Sequence, residues 1–153
     1  MVTDTHADFP LWISLTDSDI AARARADGMD IHFVAGATDL EFQIQSWTKT
    51  TGRLDAWVRV PSLAAGAQLA VRYGDVGVAH AQNPPATFAG YQAVWHLDDP
   101  LTNNTVTDAR NQSNGTAVNL MANDSVAGHL GRAINFTDGA DQISFTNPLE
   151  QMP

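Results

Sequence analysis

The sequence contains no cysteine, which removes disulfides, thiolate nucleophiles and sulfur-built zinc clusters from its chemistry. Lys49 is its only lysine, and Glu41 and Glu150 are its only glutamates. No apolar run approaches the roughly 18 residues that a membrane-spanning helix requires, so membrane insertion is not expected. No charged stretch followed by an apolar one precedes Phe9, so a secretion signal is expected to be cleaved, removed or never present. Basic residues are scarce as well: 8 Lys and Arg stand against 17 Asp and Glu among 153 residues, a net charge of −9. That balance repels phosphate backbones and anionic lipids on average, and nucleic acid is not an expected partner.

What is present is alternation. Phe9, Leu11, Ile13 and Leu15 alternate with Pro10, Trp12, Ser14 and Thr16, the period of two of a strand with one buried face. Thr16-Asp17-Ser18-Asp19 supplies caps for one short helix near residues 18–27, with Gly28 able to take a left-handed closing position. Strands are predicted over Ile31 to Val34 and from Leu40 towards Trp47. After the turn Thr48 to Gly52, Leu54, Ala56, Val58 and Val60 face one way while Asp55, Trp57 and Arg59 face the other. The two flanking stretches read as a hairpin, Pro61 is expected to end the second, and Leu69 to Tyr73 supplies a further strand.

From Gly74 to Gly90 the texture changes, and the pair Pro84-Pro85 is expected to disfavour both helix and sheet ladder. A connection is therefore placed at 84–90, between modules at 1–83 and 91–153. Beyond it, Ala93 to Leu97, Thr116 to Leu120, Ala133 to Phe136 and Gln142 to Phe145 read as strands separated by loops rich in Asn, Asp, Gly and Ser. The fold class is all-β, an antiparallel β-sandwich of jelly-roll type with one short helix. The abrupt opening and the ending Asn147-Pro148-Leu149-Glu150 suit an excised or processed fragment.

Ordered blocks in the first half resemble a bacterial domain family of unknown function, DUF2341, found in exported multidomain proteins. They are Phe9-Pro10-Leu11-Trp12-Ile13-Ser14-Leu15, Ala26-Asp27-Gly28-Met29-Asp30-Ile31-His32-Phe33, Ala56 to Leu63, and Val71-Arg72-Tyr73-Gly74. From Tyr91 the chain resembles the opening of a concanavalin A-like or laminin-G-like jelly roll, through Tyr91 to Asp98, Thr107 to Ala117, Gly128 to Phe136 and Asp138 to Ile143. A complete jelly roll needs about eight strands, so the second domain is expected to be partial. Its open edges would then take the missing remainder or another copy of the chain.

The residues offer little for catalysis. A glycosidase needs two facing carboxyl groups, yet the two glutamates lie in different modules, and the adjacent Asp98 and Asp99 would point to opposite faces of a strand. His6, His32, His80, His96 and His129 show no metal-ligand spacing. Ser14 and Ser144 lie in strands and not in a nucleophile elbow, and Asp99-Pro100 reads as a turn. No enzyme activity is expected; self-cleavage or glycan cleavage is the remote alternative.

Two kinds of binding are compatible with the pattern. Loop oxygens of Asp98, Asp108, Asn111, Asp138 and Asp141 suit calcium, a hard cation that takes several carboxylates and carbonyls, or they serve as turn formers. Trp12, Trp47 and Trp57 occupy the nominally polar faces of their strands, where a ring can stack on a sugar with polar neighbours such as Arg59 bonding its hydroxyls; the other reading places these rings in a core. The expectation is non-catalytic recognition of a glycan or cell-surface polymer in the periplasm, at the cell surface or outside the cell. The alternative is a structural or assembly module of a bacterial adhesin, surface fibre or envelope complex.

Overall fold

The computed structural model describes residues 4–75 and 77–145; Glu150 and the stretch Asn147 to Glu150 lie outside them. The chain divides into two compact units, Met1–Thr87 and Phe88–Pro153. All strand pairing is antiparallel, and the fold is an all-β sandwich.

In the first unit, β1 (His6–Thr16) is followed by the short helix α1 (Ser18–Arg23), then β2 (His32–Ala35), β3 (Thr38–Asp39), β4 (Phe42–Thr48), β5 (Arg53–Leu63), β6 (Ala70–Arg72) and α2 (Pro84–Thr87). One sheet has the order β1-β5-β4 and the other β3-β2-β6. Alternation explains the layering: Leu54, Ala56 and Val58 of β5 turn inward with Phe42 of β4, and meet Ile31 and Phe33 from the region of β2. The rings of Phe33 and Phe42 lie 5.4 Å apart, and Ile20 and Ala24 from α1 join the same buried cluster. Burial of this kind stabilises by about 1.5–3 kcal/mol per large side chain.

Helix α1 starts where its cap predicts, because the Asp17 carboxylate accepts from the Asp19 and Ile20 N–H groups at 2.7 and 3.0 Å. It stops at Arg23, before the expected end, since Ala24 is already extended. Gly52 closes the β4–β5 turn with φ +69°, and a Cβ there would meet the Asp17 carbonyl oxygen at 1.9 Å.

Two proline expectations are corrected. β5 continues through Pro61 to Leu63. The Arg59 N–H bonds the Glu41 carbonyl at 2.9 Å, so two residues on, Pro61 turns its missing donor towards a side where β4 has already ended, and no ladder bond is lost. Pro84 and Pro85 lie inside α2 rather than breaking it. Proline is tolerated in a first helical turn, whose N–H groups lack intrahelical partners, and Asn83 closes that turn by accepting from the Thr87 N–H at 2.9 Å.

The second unit comprises β7 (Thr105–Val106), β8 (Gly115–Val118), β9 (Ser125–Ala127), β10 (Arg132–Ile134) and β11 (Gln142–Phe145). The sheets have the orders β11-β8-β7 and β10-β9. Leu101, Val106, Ala117 and Leu120 form its buried cluster, with Trp95, Leu97, Ile134 and Ile143 packed around them. The predicted strand Ala93 to Leu97 is not formed: a single bridge joins Trp95 to Asp108, and Leu97 has φ +59°, a left-handed conformation that ends an extended run. No helix among the described residues is long and apolar enough to cross a membrane.

Candidate functional site

The outward face of the β1-β5-β4 sheet collects the polar side of each strand. Register sets Trp12 directly opposite Trp57, Pro10 opposite Arg59 and Ser14 opposite Asp55. The two indole rings lie 4.9 Å apart at 57°, both half-buried, within the geometry of a favourable aromatic pair. Arg59 flanks them, bonding Asp8 at 2.9 Å and the Ala86 carbonyl at 3.4 Å, while its buried Nε has no partner.

At the other end of this face Asp55 is buried and heavily bonded. Arg53 reaches it through Nε and Nη2 at 2.8–3.1 Å, and the Ser46 hydroxyl donates to it at 2.8 Å. The Arg53 hydrogen bonds, followed by those of Ser46 and Ser14, hold the Asp55 carboxyl below its usual range against the opposing effect of burial. Asp55 therefore braces the strands as a carboxylate and is poorly suited to deliver a proton.

Trp47 does not join Trp12 and Trp57. The β4–β5 register shifts between Ile44 and Ser46, so Gln45 is an extra residue; Ser46 then faces outward with Asp55, and Trp47 turns inward with Leu54. Its ring packs on the core, its Nε1 donates to the Arg25 carbonyl at 3.1 Å, and its Cδ1 lies 2.9 Å from where a Cβ on Gly28 would sit. The expectation of three tryptophans on polar faces is thus corrected to two, because one inserted residue reverses the alternation of everything after it.

The open edge of β4 is partly covered. The Asn83 N–H donates to the Phe42 carbonyl at 3.0 Å, and the Gln82 side-chain oxygen accepts from the Ile44 N–H at 2.6 Å. This satisfies edge groups that would otherwise recruit another strand.

Three of the five calcium-ligand candidates, Asp108, Asp138 and Asp141, accept bonds from backbone N–H groups of the second unit. Asp108 is fully buried and accepts N–H bonds from Val94, Arg110, Gln112 and Ser113 at 2.8–3.0 Å. Burial alone would raise its carboxyl, but these four donors outweigh it and hold the group below its usual range. Asp141 accepts from the N–H groups of Thr137 and Asp138, and Asp138 from that of Ala140. Asn111 is exposed with φ +57°, and Asp98 is half-buried. Among the described residues no three His, Asp or Glu side chains are grouped to hold a metal ion.

Sequence reasoning missed a concavity in the first unit, of about 500 Å³, beside α1, β2 and β6. It draws together Asp19, Arg23, His32, Arg72, Tyr73 and Asp75. His32 also stacks on His80, with ring centroids 3.6 Å apart, and lies 3.5 Å from Asp39. Burial, then the His80 charge, push the His32 imidazole below its ordinary value. The signal available in the sequence was the strand Leu69 to Tyr73, but nothing local says that it pairs with Ile31 to Val34.

A protein-family comparison matches residues 27–104 to the family described as Domain of unknown function (DUF2341). The matched stretch includes Tyr91 to Asp98 and leaves Phe9 to Leu15 outside. No curated protein and no solved structure matches the chain.

Proposed function

The chain belongs to the DUF2341 family, and from that premise we propose that it is a non-catalytic recognition module that binds carbohydrate outside the bacterial cytoplasm. The observation that carries this reading is the registered Trp12–Trp57 pair on the outward face of the β1-β5-β4 sheet. Two adjacent half-buried indoles offer an apolar platform to the face of a sugar ring. Arg59 and Asp8 beside them supply a donor and an acceptor for its hydroxyls.

The buried carboxylates support a binding role over a hydrolytic one. A glycosidase acid must hold its proton near neutral pH, which requires a raised pKa, whereas Asp55 and Asp108 are both held low. We read the second unit as the early part of a laminin-G-like jelly roll that places the first unit on a larger exported protein. Its short antiparallel strands support that reading.

A glycan array followed by tryptophan-emission titration of the positive sugars tests the proposal. Binding is expected to shift the emission, and Trp57→Ala is expected to weaken it about tenfold, equivalent to about 1.4 kcal/mol. Trp47→Phe, whose ring faces the core, should leave affinity unchanged. An array without a single hit, or affinity untouched by Trp57→Ala and Trp12→Phe, overturns the proposal.

A further inference from the structure

The concavity beside α1, β2 and β6 has a volume of about 500 Å³, within the roughly 300–1,000 Å³ typical of small-molecule sites. What distinguishes it is an unspent positive charge. In a chain of net charge −9, Arg23, Arg25, Arg53 and Arg59 each meet an Asp within 2.9 Å. Lys49 and Arg132 meet backbone carbonyls, and Arg110 also has a partner. Arg72, exposed on the edge strand β6, has no hydrogen-bond or ion-pair partner among the described residues.

Arg72 also sits directly opposite His32 in the β2–β6 register, so two nitrogen-bearing side chains share one face. Such a pair is unfavourable whenever the imidazole is charged, and an anion bound between them relieves it. The carboxylates nearby are largely committed elsewhere. Asp19 holds Arg23 at 2.8 Å and accepts from the Tyr73 hydroxyl at 2.8 Å. Asp30, buried, accepts from the N–H groups of Arg25 and Gly74 at 2.8 Å each. Asp75 takes the Gly77 N–H through Oδ1 at 3.2 Å and keeps its second oxygen for a ligand hydroxyl.

Beside the Arg23–Asp19 pair, the lining therefore presents one guanidinium unpaired among the described residues, that of Arg72, a forked donor matched to a carboxylate, next to a carboxylate oxygen and the phenolic oxygen of Tyr73. A ligand that answers all three carries one carboxylate and several hydroxyls on a compact frame. We propose that this concavity binds a uronic-acid unit of an acidic saccharide, with Arg72 holding its carboxylate and Asp75 and Tyr73 its hydroxyls. The sugar half rests on the recognition reading above; the carboxylate half rests on Arg72 independently of it.

The test is calorimetric titration of the full chain with glucuronate, glucose and acetate, on the native protein and on Arg72→Gln and Arg72→Lys. Glucuronate is expected to bind at least tenfold more tightly than either glucose or acetate. Arg72→Gln should weaken it tenfold or more, and Arg72→Lys should restore part of the loss. Glucose binding as well as glucuronate overturns the carboxylate assignment, and acetate binding as well overturns the sugar assignment. Absence of glucuronate binding, in a protein whose Trp12–Trp57 face still takes glycans, overturns this site and leaves the recognition reading standing. Glucuronate binding without any glycan on that face does the reverse.

Discussion

The two units are built from the same antiparallel pairing and held together by different chemistry. In the first, β1 and β5 run 11 residues each and enclose a buried cluster that includes Phe33, Phe42, Leu54 and Val58. In the second, strands span two to four residues, and the buried cluster among the described residues is Leu101, Val106, Ala117 and Leu120. Where ladders are short, loop N–H groups must find other acceptors, and short carboxylates supply them. Asp108 takes four such groups, Asp99 takes the Thr107 N–H at 3.0 Å, and Asp124 takes that of Met121 at 2.8 Å. Aspartates thus add loop bonding in the second unit to the packing of a small apolar cluster.

The contrast can be broken by removing the same side chain from each core. Leu54→Ala in the first unit is expected to cost about 4 kcal/mol, near the upper end for leucine truncation, because Leu54 is fully buried in a dense cluster that cannot collapse onto the gap. In the second unit, Asp108→Ala should cost more than any apolar truncation there, about 3 kcal/mol, since it strands buried N–H groups. Leu120→Ala is expected to cost about 2 kcal/mol, as its cluster is small. Denaturant unfolding of the three variants measures the order, and equal losses for Leu54→Ala and Leu120→Ala would erase the distinction.

Acid titration sharpens the comparison with a smaller effect. Burial lowers the His96 imidazole below its ordinary 6.5, and His32 behaves alike. As pH falls below that value the unfolded chain takes up protons that the folded chain resists, so stability declines from about pH 6.5 downward. Asp55 and Asp108 act in the other range. Their folded pKa lies below the ordinary 3.8, so their contribution is complete above that value and is lost as pH falls through the folded one. His96→Gln should reduce the first decline to the part due to His32 and leave the second, as followed by melting temperature against pH.

Much of the sheet architecture was legible because its cause is local. Alternation at Leu54, Ala56 and Val58 predicts the buried face of β5, and Asp17 before an Ala-rich stretch predicts the start of α1; both are borne out. Alternation also placed Trp12 and Trp57 on the face opposite Leu54, Ala56 and Val58, where both rings are half-buried. The placement of Trp47 was not legible, because the bulge at Gln45 arises from pairing with β5 and leaves no mark in the residues of β4 alone. The strand expected over Ala93 to Leu97 failed since its alternation found no neighbouring ladder beyond one bridge to Asp108.

By itself the amino-acid order determined most of the extended segments, where α1 begins and that the charge is strongly negative, because backbone preference, capping and net charge depend on near neighbours or on composition. Tertiary structure alone decided that Arg72 stands across from His32, that Asp108 gathers four loop amides, and that two tryptophans share a face while the third turns inward. Those outcomes depend on which distant strand lies alongside and in what register, and a shift of one residue reverses every side chain that follows.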